Sequence, residues 1–576
     1  MMAFDGVTTK IIADELQNLS GSRIDRVYQP NKNEIVIGLY LDGNNYALST
    51  SIDAQNYRIS LTTHSKPNPQ NAPNFCMLLR KHLIGLKLKN IITSNLERVV
   101  TLEIEGFDEF DDVVTKKLII ELMGKHGNII LVDESNIIID SLRHIKSVDD
   151  NNRNIIPHVK YDFPTNNKNN FYDINSFEDF KQSLQSDINA QNISSIISNS
   201  FNGISKILIE NIVKHLNITI LNDNSLKQIY NYLTNIIKDT DYNKIKFETV
   251  EIKSNNKIKK DYYPQPEIDE SSPYKLNFFI DDFYYEKETS ETFKNYRDTT
   301  LKMILEILKK YKTRLVNIDK KLKECEDMDK FKLYGELITA NLYKIENKNL
   351  DYVEVENYYD NNKLIRISLD KKYLPSINAK RFYKKYNKLK NALEIVGKQK
   401  EETINELNYL ESIVYELEAS STLDEVAQIF EEISENVLFK DSINIKQKNS
   451  KFKKSKYTKN KEVSFNPIKY TLDGYTILVG RNNKENDYLT LKLADKSDLW
   501  FHTKFIHGSH VILKSKNSTI TDDILYKCAE LAAKHSKAKN SSNVPVDYCL
   551  VKYVKKPSGA KPGMVIYSNN KTLYVK

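Results

Sequence analysis

The sequence predicts a multidomain α+β protein. An α+β domain stands at each end, with a small helical helix-hairpin-helix region and a long antiparallel coiled coil with a small β tip between them. Three observations predict this. Hydrophobic periodicity switches along the chain, from alternation near the N-terminus to a sustained 3,4 spacing in two stretches between residues 301 and 417, then back to strand-like runs after 463. The length, 576 residues, suits about three to five units at roughly 100–200 residues each. Finally, 40% hydrophobic residues with only 16 glycines and 14 prolines supply material for cores and few interruptions to long elements.

Residues 1–170 form the first expected domain. An amphipathic helix over 9–19 precedes alternating strands at 23–28, 34–40 and 45–49. A second helix, 75–84, leads into strands at 99–105, 117–122 and 128–132, giving a largely antiparallel sheet. Asn-rich sequence around 166–170 closes the domain. Residues 171–285 read as short helices, among them one opened by Phe201-Asn202-Gly203-Ile204-Ser205. A glycine ahead of a helix can bring backbone N–H groups to a phosphate, but one glycine is weak, and an ordinary turn is the better reading.

The coiled coil is expected over 286–435. Leu301, Ile304, Leu308, Tyr311, Leu315, Ile318, Leu322 and Cys325 mark one stripe. Phe382, Tyr386, Leu389, Leu393, Val396, Thr403, Leu407, Leu410, Val414 and Leu417 mark the other, with Lys400 interrupting. Between them, 353–369 alternates about Asp360-Asn361-Asn362, a small hairpin in a tip spanning about 346–378. The turn favours pairing of the two stripes within one chain over dimerisation. A lysine-rich linker, 436–462, then leads to a C-terminal domain at 463–576, with strands at 477–479, 489–493, 510–513, 550–554 and 564–567 and a helix over 522–536 after Thr521.

The net charge of +8 hides a polarity. Residues 446–576 hold 26 Lys and Arg against 10 Asp and Glu, leaving 59 basic and 67 acidic residues for the rest. Within the linker, 446–461 carries eight lysines and no acid, including Lys453, Lys454 and Lys456. Such an end is suited to a polyanion, because neutralising phosphates releases counterions. In the C-terminal domain Trp500, His502, Lys504, His507 and His510 combine aromatic and imidazole groups with lysine, an arrangement able to stack on unpaired bases and meet phosphate. A second patch, Lys555, Lys556 and Lys561 around Gly559 and Gly563, is a basic turn. A metal at the three histidines would need a fourth ligand, and none is near in sequence, so no metal and no cofactor are expected.

Several classes are disfavoured. The four cysteines are far apart and form no C-x-x-C, which argues against a disulfide framework or thiolate zinc and fits a reducing, cytoplasmic setting. The opening MMAFDGVTTK has no apolar core, so a secretory leader is not expected, and no run reaches the ~18 apolar residues of a membrane span. There is no G-x-S-x-G, P-loop or G-x-G-x-x-G, and an enzyme is not indicated. In the first domain, Glu97 and Arg98 at a strand start, and Glu121, Leu122, Met123, Lys125 and His126 between two strands, form the candidate ligand-facing set. An acid beside an arginine can read a base edge and clamp a phosphate, although adjacent Glu-Arg pairs are common at surfaces.

At these residues the chain resembles the RqcH/NEMF family, the NFACT proteins. The resemblance rests on FDGV (4–7), FCMLLRKHL (75–83), ELMGKHGNIILVD (121–133), LYGELITANLY (333–343), LVGRNNKENDYLT (478–490), DLWFHTKFIHGSHV (498–511) and VKKPSGAKPGMV (554–565), in order along nearly the whole chain. It implies an NFACT-N domain, a helix-hairpin-helix region, a coiled coil with a middle tip, and an NFACT-R RNA-binding domain. It further implies a ribosome-associated, non-catalytic quality-control factor. Such a factor binds rRNA of the large ribosomal subunit carrying peptidyl-tRNA and recruits charged tRNA, tRNA-Ala in bacteria, so that a stalled chain gains C-terminal alanines. A small S4-type RNA-binding partner protein is also implied, and no membrane. The family's tRNA-recruiting Asp-Arg pair falls on Glu97 and Arg98, the acid here one methylene longer, with Glu121–Met123 supporting the same site. NFACT-N also resembles formamidopyrimidine-type DNA glycosylases, whose N-terminal proline nucleophile this chain replaces with Met-Met-Ala. The competing expectation is a surface fibronectin-binding adhesin, a name long attached to bacterial members.

Overall fold

The structure is a computed structural model that describes residues 4–107, 112–146, 153–164, 167–184, 192–238, 241–254, 257–266, 274–346, 348–435, 465–514 and 520–576. The chain divides into two compact units at residues 290/291. The lysine tract, with Lys453, Lys454 and Lys456, lies outside the described residues.

In the first unit, helix α1 (Gly6–Leu16) starts three residues before its expected position, because the Asp5 carboxylate accepts the Thr8 N–H at 3.0 Å as an N-cap. Strands β1 (Arg23–Asn31), β2 (Glu34–Leu41), β3 (Asn44–Ser51), β4 (Arg58–Leu61), β5 (Lys87–Thr93), β6 (Val99–Phe107), β7 (Val113–Glu121), β8 (Asn128–Asp133) and β9 (Ile138–Ser141) build one sheet. Its order is β4-β3-β2-β1-β5-β6-β7-β8-β9, antiparallel throughout. Helix α2 (Asn74–Leu83) touches both β1 and β9, so the sheet curls around it. Short helices α3 (Phe177–Gln182), α4 (Ile193–Ser200), α5 (Lys206–His215) and α6 (Asp223–Ile237) follow and share the same core.

A hairpin of ten-residue strands, β10 (Ile245–Ser254) and β11 (Lys257–Pro266), was not expected within the helical region. Its Lys and Glu content reads as surface, yet Phe247, Tyr262 and Tyr263 are buried, the first two against aromatic rings of the next helix. That helix, α7 (Lys275–Glu326), begins ahead of the expected coiled-coil boundary at 286. Its first N–H groups are satisfied from α1: Glu15 accepts from the backbone of Leu276 (3.2 Å) and Asn277 (2.8 Å).

In the second unit the rod is an antiparallel pair, α7 from Glu291 onward with α8 (Met328–Ala340) against α9 (Pro375–Ala419). The pairs Lys312–Glu411 (3.2 Å) and Asp319–Lys400 (2.9 Å) fix the opposed direction. At its base, helix α10 (Leu423–Glu435) adds Val426, Ile429 and Ile433 to a core with Ile304, Ile307, Leu410 and Ile413. At its tip, hairpin β12 (Tyr352–Asn357)/β13 (Lys363–Ser368) packs Val353, Val355 and Ile367 on Leu337 and Ile338. Between these cores two helices bury only one stripe each, and Val316, Leu393 and Ile395 are 54%, 39% and 58% exposed.

The C-terminal domain holds strands β14 (Ile468–Leu472), β15 (Tyr475–Val479), β16 (Leu499–Thr503), β17 (Val511–Lys514), β18 (Val544–Leu550) and β21 (Lys571–Val575), plus a small pair, β19 (Val554–Lys555) and β20 (Ile566–Tyr567). The six-stranded sheet runs β14-β15-β17-β16-β18-β21. Helix α11 (Asn483–Tyr488) continues as a π-helical turn through Leu489–Leu493, which corrects the strand expected there; periodicity does not separate the two in so short an apolar run. Helix α12 (Asp522–Lys534) packs Ile524, Cys528 and Ala532 against the sheet.

Candidate RNA-binding surfaces

In the first unit, residues 94–98 join β5 to β6 and carry Glu97 and Arg98. Asn95 and Leu96 are consecutive left-handed residues (φ 51° and 56°) and neither is glycine. A branched side chain there costs about 1–3 kcal/mol and persists only where surroundings enforce it. The surroundings do so. A Cβ on Gly6 would lie 1.9 Å from the Leu96 carbonyl oxygen, and one on Gly203, itself at φ +70°, would lie 2.2 Å from it. Asn202 Nδ2 donates to the Asn95 carbonyl (3.1 Å) and Asn170 Nδ2 to Asn95 Oδ1 (3.2 Å). The Gly203 carbonyl accepts the N–H of Gly6 (2.9 Å), and Asp5 accepts that of Ser205 (3.2 Å), locking α1 to α5. Gly203 is therefore a close-packing residue beneath this turn, in line with the turn reading of its motif.

Glu97 and Arg98 are both half-buried. Arg98 Nη1 donates to the Tyr57 hydroxyl at 3.1 Å, with its guanidinium 5.7 Å from that ring's centre. Its backbone carbonyl accepts the Leu122 N–H at 2.7 Å, which brings the two predicted segments side by side. Lys125 and His126 are exposed on a 3₁₀ turn after β7, and Met123 is half-buried. Leu122 is wholly buried and Glu121 is 1% exposed. Glu121 accepts from Arg153 Nη2 (2.6 Å) and the Tyr161 hydroxyl (2.9 Å), and burial beside its charge pushes the Tyr161 hydroxyl pKa upward. Glu121 and Leu122 thus stand behind the surface that Arg98, Lys125 and His126 present. Arg143 braces the turn from below, donating to the Gly127 carbonyl (3.0 Å) and Asn33 Oδ1 (2.8 Å). Tyr57, just before β4, and Arg143, just after β9, carry no local signal in the sequence, because only the assembled sheet brings them here.

The C-terminal domain corrects the expected stacking surface. Trp500 is fully buried, packed with Leu489, Ile512 and Cys549, its ring 4.8 Å from that of Tyr567. His510 is 2% exposed and pairs through Nδ1 with Thr490 Oγ1 (2.7 Å). Burial lowers the pKa of His502 to about 4 and of His510 to about 3, so both are neutral at pH 7, His510 buried and His502 half-buried. As folded, Trp500 and His510 offer no face to RNA. The reason is position: Trp500 stands on β16, inside the sheet between β17 and β18, and His510 stands just ahead of β17, held by Thr490 and by Asn486, whose Oδ1 accepts its N–H. Lys504 lies 3.7 Å from Asp547, Lys556 pairs with Asp487, and Lys555 is exposed.

Acidic residues at the rod's base already meet other basic groups of this domain. Glu406 pairs with Lys561 (3.0 Å), Glu425 with Arg481 (3.3 Å) and Glu435 with Lys484 (2.8 Å), while Glu411 lies 3.9 Å from His507. Among them Glu416 and Glu432 are buried together. The Tyr409 hydroxyl donates to Glu432 Oε1 at 2.8 Å. Burial raises the Glu432 pKa to about 7, and burial plus the Glu432 charge raises that of Glu416.

Among the described residues, one cluster could hold a cation, His64 with Asp281 and Asp282. Its groups are already engaged, His64 Nε2 with Asp282 at 2.8 Å and Asp281 with the Thr63 N–H at 2.9 Å. Among the same residues, no helix is long and apolar enough to cross a membrane.

A sheet-based head, a two-helix rod with a β tip and a basic sheet domain define the NFACT class of multidomain proteins. Residues 5–455 match the NFACT N-terminal and middle domains, and residues 462–569 match the NFACT protein RNA binding domain. The chain belongs to the NFACT family. It is similar to the Rqc2 homolog RqcH of Bacillus subtilis (strain 168), 32% identical over 100% of this chain and 98% of that protein. It is likewise similar to the Rqc2 homolog RqcH of Streptococcus suis (strain 05ZYH33), 31% identical over the same shares. A solved structure of the C-terminal part of the fibronectin/fibrinogen-binding protein from Streptococcus suis matches at 32% identity and TM-score 0.37, covering 49% of this chain and 94% of that one.

Proposed function

We propose that the protein is a ribosome quality-control factor. It binds large ribosomal subunits that still carry peptidyl-tRNA and recruits charged tRNA, alanyl-tRNA by family likeness, to extend the stalled chain with C-terminal alanines. Peptide bonds are made by the ribosome, so the protein acts as a non-catalytic elongation factor in the cytoplasm, with an S4-type RNA-binding protein as a further partner. One observation carries this reading: likeness to Rqc2 homologues over the full chain, with an RNA-binding domain at its end.

The geometry supports a division of labour. The exposed basic turns of the C-terminal domain and the lysine tract hold rRNA phosphates without reading sequence. In the first unit, Arg98, Lys125 and His126 with Glu97 form the tRNA-facing set, and Glu121, Leu122 and Met123 support it. The test is purification of the tagged protein at low salt and sequencing of the RNA that travels with it. Large-subunit rRNA and one tRNA acceptor type are expected, together with loss of subunits as salt rises. Material free of RNA would overturn the reading, and a mixed tRNA population would overturn the selective step.

A further inference from the structure

The turn that follows β16 carries an aromatic side chain whose placement the fold does not explain. Phe505 is 96% exposed, ahead of Tyr343 at 80% among the exposed large hydrophobic residues, and its backbone is left-handed at φ +59°. Each feature costs free energy. A benzyl group left in water forgoes about 1.5–3 kcal/mol of burial, and the left-handed conformation adds about 1–2 kcal/mol for a residue with a Cβ.

The turn is also firmly built. The Thr503 hydroxyl donates to the Ile506 carbonyl (3.0 Å), and the Lys504 N–H donates to the Pro545 carbonyl (2.8 Å). The Lys537 N–H donates to the His507 carbonyl (2.9 Å), tying the turn to the segment after α12. Ile506 packs against the core, so its neighbour Phe505 points outward.

The surroundings specify what would cover the ring. Lys504 Nζ lies 5.7 Å from the Phe505 centroid, and Lys534, Lys537 and Lys539 are exposed on the tethered segment. The nearby carboxylates are engaged: Asp547 is buried and accepts from Tyr567 and Thr572, and Glu411 faces His507. An exposed ring beside Lys504, which also lies 3.7 Å from Asp547, with exposed lysines on the segment tied to the same turn, suits a ligand with a flat π face on a polyanionic backbone. An apolar protein surface would have to desolvate those ammonium groups. We infer that Phe505 is a stacking platform for an unpaired nucleobase, with Lys504 and Lys537 meeting the adjoining phosphates. The inference rests on the RNA-binding reading of this domain and assigns to Phe505 the role that buried Trp500 does not take.

The test uses the full chain, a short single-stranded RNA and a duplex RNA of equal phosphate number, with affinities measured across a salt series. Phe505→Ala is expected to weaken single-strand binding about 5- to 100-fold while duplex binding and the salt slope stay unchanged. Phe505→Trp should restore affinity, and the single strand should quench its added indole emission above the constant signal of Trp500. Equal binding by Phe505→Ala and the parent would overturn the inference and leave the RNA-binding reading intact, as would equal weakening toward both RNAs. A parent chain that bound neither RNA would overturn that reading itself.

Discussion

The two candidate surfaces are built on opposite plans. In the first unit, few charged groups stand on a turn that four residues clamp: the Asn95–Leu96 pair is pressed by Gly6 and Gly203 and tethered by Asn170 and Asn202. In the C-terminal domain, basic side chains are spread over the surface, and Lys484, Lys561 and Arg481 already face carboxylates at the base of the rod. The two plans achieve different things. A rigid, pre-organised Arg98 discriminates by geometry, because a ligand must fit a fixed position. Diffuse charge supplies affinity that any phosphate backbone can claim and that salt removes.

Four experiments would sharpen or break this contrast. The largest effect is expected from Gly203→Val, which puts a branched side chain at φ +70° into the Leu96 carbonyl. A loss of about 3 kcal/mol should appear in melting of the first unit, with tRNA binding falling while RNA affinity of the C-terminal domain holds. Unchanged melting would show that the clamp is dispensable.

Next is Glu432→Gln. Folding raises this carboxyl to about 7, so the stability it contributes is full below its unfolded value near 4.5 and drains away as pH rises through 7. The variant should match the parent near pH 5 and exceed it at pH 8 by on the order of 3 kcal/mol in chemical denaturation. His502 and His510 act in the opposite sense. Their lowered values give stability that is full above 6.5 and is lost as pH falls through about 4 and 3, so acid should loosen the C-terminal domain in both proteins.

Third, Arg98→Ala should still sediment with large subunits but lose bound tRNA about tenfold or more, a loss near the 1.5–3 kcal/mol of a charged hydrogen bond. Intact tRNA binding would remove Arg98 from the surface. The smallest effect is expected for exposed Lys555→Ala, a change in the salt slope of subunit binding of about one counterion and little else.

Much of this was legible because periodicity is written in side-chain type. Most of the rod's stripes (Leu393, left 39% exposed, is an exception), the hairpin about Asp360-Asn361-Asn362 and most strands of the first sheet follow from spacing alone. The resemblance to NFACT proteins implies one site for Arg98 and the Glu121 segment, and the pairing of β6 with β7 sets them side by side. What escaped depends on neighbours distant in sequence. Trp500 looked like a surface aromatic because Lys504 follows it, yet its strand is covered on both edges and both faces. The left-handed Leu96 has no local signal, since the glycines that permit it stand 90 and 107 positions away in the chain. Phe505 has no sequence signal of its own, since its exposure is set by the turn after β16.

The thin middle of the rod has a mechanical consequence. Bonded cores grip its base and tip, but between them Val316, Leu393 and Ile395 face water and one seam holds the helices together. Amide protons there should exchange with solvent sooner than those at either end. A strut fastened in this way yields at mid-span, so load placed on the tip is absorbed by bending before it can pry open the base.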